Sequence, residues 1–171
     1  MSLLEKLAEK LTPNIICEKI QDIDINKLKD LGIKAFIIDL DNTIIPWKEN
    51  TVPYESLDWV EYVKSLGIKL FILSNTVNIK RLKRVAGDLK VDFIHPSGKP
   101  QKKNFIKIAD IFNVNTEEVA VIGDQIFTDV LGGKKAGMFT VLVNPLSKKE
   151  FFGTKFISRN FEKLLKKHMK I

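Results

Sequence analysis

Five short apolar-rich runs, at 35–40, 68–73, 91–94, 118–123 and 138–143, recur along this sequence, each closed by polar residues or a proline. Between them lie longer stretches whose apolar residues fall at helical spacing, as with Ile79, Leu82, Val85, Ala86 and Leu89. Strands that alternate with helices predict an α/β chain: a three-layer, Rossmann-like arrangement with a mainly parallel sheet of about five strands and helices on both faces. In such a sheet ligands bind beyond the carboxyl ends of the strands. The residues that close each run are therefore the ones to inspect.

The first run delivers two carboxylates, Asp39 and Asp41, followed by Asn42 and Thr43. Its Ile and Phe content reads as a strand buried on both faces, and the period of two places Asp39 and Asp41 on one side. Like charges a few Å apart repel unless a cation or hydrogen bonds intervene. The second run ends at Ser74-Asn75-Thr76, the third leads through His95-Pro96-Ser97-Gly98 to Lys99, and the fourth ends at Asp124-Gln125. Asp39, Asp41, Ser74, Lys99 and Asp124 thus all fall at strand ends and form one candidate site. His95 reads as a loop or strand-end residue, because nothing near it marks a metal or a nucleophile.

The remaining segments frame that site. Leu3, Leu4, Leu7, Ala8 and Leu11 predict an amphipathic helix at about 2–11 that Thr12-Pro13 stops; it either packs on the domain or lies on a lipid surface. Residues 14–17 read as a short extended segment. Helices are predicted at 25–31, closed by Gly32, at 53–66, at 78–89 with Lys80, Arg81, Lys83 and Arg84 on a solvated face, at 100–112, and after Asp124-Gln125 to about Ala136. The end of the chain, about 159–170, reads as a basic amphipathic helix. The whole of 1–171 is read as one domain.

Composition narrows the setting. A chain 44% hydrophobic and 29% charged is that of a globular protein. A lone Cys17 excludes an internal disulfide and fits a reducing cytosol, the cysteine itself reading as a small buried hydrophobe. The amino terminus lacks the apolar core of a secretory signal, and no run approaches the roughly 20 residues that span a bilayer, so a cytoplasmic protein is expected. The net charge of +7 is concentrated in residues 147–171, where eight Lys or Arg face two Glu. Such an end is either a solvated helix or a contact for an anionic partner.

Three carboxylates, a hydroxyl and an ammonium at one edge, with no good histidine base, point to phosphoryl chemistry. Gathered carboxylates imply a hard divalent cation with oxygen ligands, and Mg2+ suits a site that also takes a substrate phosphate. With repulsion screened, an aspartate can attack phosphorus. Ser74 can donate to a phosphate oxygen, Lys99 can neutralise developing charge, and Asp41 can move the proton of the leaving oxygen.

These residues also carry a resemblance. Asp39-Leu40-Asp41-Asn42-Thr43, Ile72-Leu73-Ser74-Asn75, Lys99-Pro100 and Gly123-Asp124 through Asp129 are similar, in order, to the four motifs of the haloacid dehalogenase (HAD) superfamily. The resemblance implies Asp39 as nucleophile and Asp41 as general acid/base. It implies Mg2+ held by the Asp39 carboxylate, the Asp41 backbone carbonyl and the Asp124 carboxylate, with Asp129 in the metal's outer shell. It further implies a substrate phosphate bound by Ser74, Asn75, Lys99 and Thr43, with Thr43 also setting the backbone of the first motif. Only 32 residues separate Asp41 from Ser74 and 24 separate Ser74 from Lys99, too few for a cap domain in either gap. The open site resembles subclass IIIA, and within it the YqeG-like proteins related to phosphatidylglycerophosphate phosphatases, on residues that include Thr154-Lys155-Phe156.

The expected function is a Mg2+-dependent phosphomonoesterase acting through an aspartyl-phosphate on phosphatidylglycerophosphate. The basic amphipathic ends would give peripheral contact with an anionic membrane. One alternative keeps the chemistry but takes a nucleic-acid 3′-phosphate or a soluble sugar or nucleotide phosphate. Nucleic acid is disfavoured because aromatic and basic residues do not interleave as a base-stacking platform. Another alternative is a non-catalytic RNA- or ribosome-binding protein on the same fold. The sequence fixes no oligomeric state.

Overall fold

In the computed structural model, residues 3–147 are described. The expected basic helix at 159–170 and the Thr154-Lys155-Phe156 motif lie outside the described residues. Helix α1 (Leu3–Leu11) leads to β1 (Ile15–Cys17), α2 (Ile25–Asp30), β2 (Ala35–Ile38), α3 (Tyr54–Ser65), β3 (Lys69–Leu73), α4 (Ile79–Leu89), β4 (Asp92–Ile94), α5 (Lys103–Phe112), β5 (Val119–Gly123), α6 (Leu131–Lys135) and β6 (Phe139–Val143). The strands form one sheet in the order β1-β6-β5-β2-β3-β4, and each neighbouring pair is parallel.

Strand β2 is at the centre because it is apolar on both faces: all four of its residues are buried. Phe36 and Ile38 face a core shared with Leu28 of α2, Trp59 and Val63 of α3, and Leu82 and Val85 of α4. Ala35 and Ile37 face the other way, toward Phe105 and Ile108 of α5 and toward Met138. Burying a large aliphatic or aromatic side chain contributes about 1.5–3 kcal/mol, so a strand loaded on both faces is strongly held in register.

The chain runs from β2 outward through β3 to β4, then crosses back so that β5 lies on the other side of β2. The direction of winding therefore reverses between β2 and β5, and the crevice at that switch point opens beyond their carboxyl ends. Asp39 follows β2 and Asp124 follows β5.

Several expectations are refined. The sheet has six strands rather than about five, because the extended segment at 14–17 pairs with β6 through Ile15↔Val141 and Cys17↔Val143. Three residues are too few to show a periodicity. Strand β2 ends at Ile38, although the Asp39 N–H still donates to the Ile122 carbonyl at 2.9 Å. Pro100 lies in a turn, closed by Gln101 N–H donating to the Gly98 carbonyl, and α5 begins three residues after it. The helix after Asp124 opens with a π-helical turn, Ile126–Val130, before α6. Helix α1 packs against α6, with Leu11 buried and Leu7 half exposed. No helix among the described residues is long and apolar enough to cross a membrane.

Candidate active site

A cavity of about 330 Å³ opens at the switch point, with Asp39, Asp41, Ser74, Asn75 and Asp124 on its polar wall. Asp39 and Asp41 both reach it because Leu40 between them turns into the core, fully buried. The loop beyond is tight. Asn42 takes a left-handed conformation (φ 61°), and its side-chain oxygen accepts from Trp47 N–H at 3.1 Å and from the Ser147 hydroxyl at 2.8 Å.

Lys99 organises the floor. Its Nζ, almost fully buried, donates to Asp39 Oδ1 at 2.5 Å and to Asp129 Oδ1 at 2.6 Å. Burial opposes the lysine's charge, yet the Asp129 and Asp39 carboxylates outweigh it and hold Lys99 above its ordinary pKa. The second oxygen of Asp129 accepts from Gln125 N–H at 3.1 Å. The π-helical turn folds Asp129 back onto the end of β5, where Gly123 leaves room for its carboxyl: a β-carbon there would overlap it. Both oxygens of Asp129 are therefore engaged.

Asp124 differs. It is buried, and its Oδ1 has no hydrogen-bond partner. Carboxylate oxygens of Asp39, Asp124 and Asp129 lie within 4.8 Å of one another, and among the described residues Lys99 is the ammonium that opposes them. Burial pushes the Asp124 carboxyl up to about 8, with Asp39 and Asp129 adding to the shift. Burial raises Asp39 as well, against the pull of Lys99. An unpartnered buried carboxylate oxygen in an excess of negative charge fits an oxygen-liganded divalent cation.

The other expected residues are placed as follows. Ser74 is buried at the end of β3; its Oγ accepts from Thr76 N–H at 3.1 Å, which leaves the O–H free to donate. Asn75 is tied to the loop that carries Lys99: its Nδ2 donates to the Lys99 carbonyl at 3.4 Å, and its Oδ1 accepts from the Ser97 hydroxyl. Thr43, expected to bind the substrate phosphate, is instead buried under the first loop with its hydroxyl unpartnered, away from the cavity wall, because Ile44 and Ile45 beside it are drawn into the core. His95 sits at the end of β4, with Nε2 2.6 Å from the Thr76 carbonyl oxygen, outside the acidic cluster.

One residue of the site was not expected. Arg81, placed on a solvated face by its sequence context, is instead 5% exposed. Its guanidinium meets Asp41 Oδ1 and the Glu49 carbonyl, each at 2.5 Å, and the Pro46 carbonyl at 3.3 Å. It fastens α4 to the loop after β2 and fixes the side chain of Asp41. Arg81 lies four residues before Val85, on the edge of the apolar stripe, and that register was the available signal.

A parallel sheet with an acidic cluster at its switch point, backed by a lysine and faced by a serine, defines a phosphatase of the HAD superfamily. A crystallised HAD phosphatase from Thermococcus onnurineus superposes with a TM-score of 0.50 at 26% identity, over 60% of this chain and 51% of that one. Residues 2–146 match the family described as mitochondrial PGP phosphatase, and the chain belongs to that family. It is 37% identical over 144 residues to the Bacillus subtilis (strain 168) protein named "Probable phosphatase YqeG", covering 84% of this chain and 83% of that protein. It is 25% identical over 164 residues to phosphatidylglycerophosphate phosphatase 1 of Arabidopsis thaliana, covering 88% of this chain but 45% of the plant protein.

Proposed function

We propose that this chain is a Mg2+-dependent phosphomonoesterase that removes the terminal phosphate of phosphatidylglycerophosphate through an aspartyl-phosphate on Asp39. The observation that carries the reading is the buried trio Asp39, Asp124 and Asp129, with Lys99 as the ammonium that opposes it among the described residues and Asp124 Oδ1 unpartnered.

Mg2+ would be held by the carboxylates of Asp39 and Asp124 and by the Asp41 backbone carbonyl. When bound, it supplies screening between the nucleophile and the phosphate dianion. Asp129, both of whose oxygens are engaged, positions Lys99 and would lie in the outer shell of the metal. Lys99 holds one oxygen of Asp39 and leaves the other to attack phosphorus. As that bond forms, the ester P–O bond breaks, and Asp41 delivers a proton to the leaving alkoxide. Ser74 and Asn75 donate to the phosphoryl oxygens, and Lys99 balances charge in the transition state. Asp41 then takes a proton from water as that water attacks the aspartyl-phosphate, returning Asp39 and releasing phosphate. Thr43 supports the first loop from beneath.

The open cavity and the relatives' names support this substrate. The described residues insert no cap over the polar wall, so the phosphate can belong to a molecule much larger than the cavity. The test is a substrate panel with Mg2+: phosphatidylglycerophosphate in vesicles, an oligonucleotide 3′-phosphate and a soluble sugar phosphate. The expected result is fastest release from the lipid, lost on chelation and in Asp39→Asn. Full activity of Asp39→Asn would overturn the mechanism, and preference for a soluble ester would overturn the substrate.

A further inference from the structure

Three exposed apolar side chains and a half-buried tryptophan lie on loops at or beside the cavity. Trp47, from the loop after β2, and Val77, from the loop after β3, line the cavity mouth itself. Phe127 follows β5, two residues beyond the cavity-lining Gln125. Leu146 follows β6, and its N–H donates at 2.9 Å to the carbonyl of Asn42, also on the cavity wall. Val77 is 97% exposed, Phe127 40% and Leu146 38%. Lys48 lies over the Trp47 ring, its Nζ 3.9 Å from the centroid, and Lys80 is exposed in the first turn of α4. An acidic pit thus has two apolar side chains at its mouth, two more on neighbouring loops, and cations beside them.

We propose that this rim is a membrane-docking surface that seats the site on an anionic bilayer. The inference rests on the lipid phosphomonoester reading above and names how such a substrate is met. A cavity of about 330 Å³, walled in part by Asp39, Asp41, Ser74, Asn75 and Asp124, can admit a phosphoglycerol headgroup; it has no room for two acyl chains. Drawing a diacyl lipid into water would expose every methylene of its tails, each at about a fourfold loss in the equilibrium. The phosphate must therefore be reached in the bilayer, with the mouth pressed close enough for Asp39, on the cavity floor, to touch phosphorus. Tryptophan with an adjacent lysine suits the headgroup level, where the ring is half buried and the ammonium meets lipid phosphates. Val77, Phe127 and Leu146 would enter the acyl boundary around it.

The test uses the full chain and vesicles of phosphatidylcholine with phosphatidylglycerol, free of any phosphomonoester. Trp59→Phe leaves Trp47 as the single tryptophan. Its emission is expected to shift to shorter wavelength on adding vesicles, and lipids brominated in the upper acyl chain should quench it. Val77→Asp combined with Phe127→Asp should weaken vesicle affinity about tenfold or more, since both apolar side chains leave the bilayer and two like charges face it. Absence of binding, binding that leaves Trp47 unquenched, or undiminished binding of the double variant would each overturn the proposal. So would a Trp47 shift that tracks protein concentration without vesicles, which would assign the rim to a second copy of the chain. Turnover of a soluble aryl phosphate by the unmodified chain tests the phosphatase reading separately, so either can fail alone.

Discussion

Replacing Gly123 by alanine reverses the usual sign of a glycine substitution. In a strand interior, alanine is ordinarily favoured over glycine by about 0.5–1 kcal/mol, because glycine loses more freedom on folding. At Gly123 the new methyl would overlap the Asp129 carboxyl and come to 2.6 Å from its β-carbon. Asp129 cannot step aside freely: Oδ1 is held by Lys99 at 2.6 Å and Oδ2 by Gln125 N–H at 3.1 Å. Displacing it forfeits a charged hydrogen bond worth about 1.5–3 kcal/mol and adds overpacking of about 1–3 kcal/mol. The net expectation is a loss of about 3 kcal/mol. In urea, with a slope of about 1–3 kcal/mol/M, the midpoint should fall by about 1–3 M at unchanged slope. Gly87, on α4 with open space where a β-carbon would sit, is the control: Gly87→Ala should gain about 0.5–1 kcal/mol. An unchanged or raised midpoint for Gly123→Ala would refute the packing of Asp129 on β5.

Lys99→Met should leave Asp39 and Asp129 buried without their cation, costing about 3–5 kcal/mol in chemical unfolding and abolishing turnover. Arg81→Gln should lower kcat and destabilise by a similar amount, since it breaks an ion pair whose guanidinium is 5% exposed, and Arg81→Lys should recover only part of the activity. The acidic cluster also sets a pH dependence. Burial raises Asp124 from an ordinary 3.8 to about 8, so between those values the folded chain keeps a proton that the unfolded chain has released. Its contribution is complete below pH 3.8 and is lost as pH rises toward 8, by about 1.4 kcal/mol per pH unit. Metal-free melting temperatures should therefore fall from pH 5 to 8, and Mg2+, which needs the carboxylate ionised, should restore stability most at the high end. A metal-free melting temperature that rises across that range would contradict this.

Apolar runs closed by polar residues or proline announced β2, β3, β4, β5 and β6, and the residues that close three of those runs converge at the switch point. Strand β1 was legible only as an extended segment, because its place is set by pairing with β6, more than 120 residues away in sequence. Arg81 misled for a related reason. A guanidinium four residues from Val85 can lie in water or be drawn inward, and the choice depends on Asp41 and on two loop carbonyls that only the folded chain brings near. The resemblance implied different roles for Asp124 and Asp129, but the physical basis of the difference was hidden: a π-helical turn folds Asp129 onto Gly123 and Lys99, while Asp124 keeps an oxygen unpartnered.

In the proposed mechanism a carboxylate oxygen of Asp39 takes the phosphoryl group. Acid quenching of the full chain during turnover of a 32P-labelled phosphomonoester with Mg2+ tests this directly. Acid-stable, hydroxylamine-labile label should appear on the peptide that contains Asp39 and be absent from Asp39→Asn. Turnover with no label on the protein, or label that persists in Asp39→Asn, would contradict it.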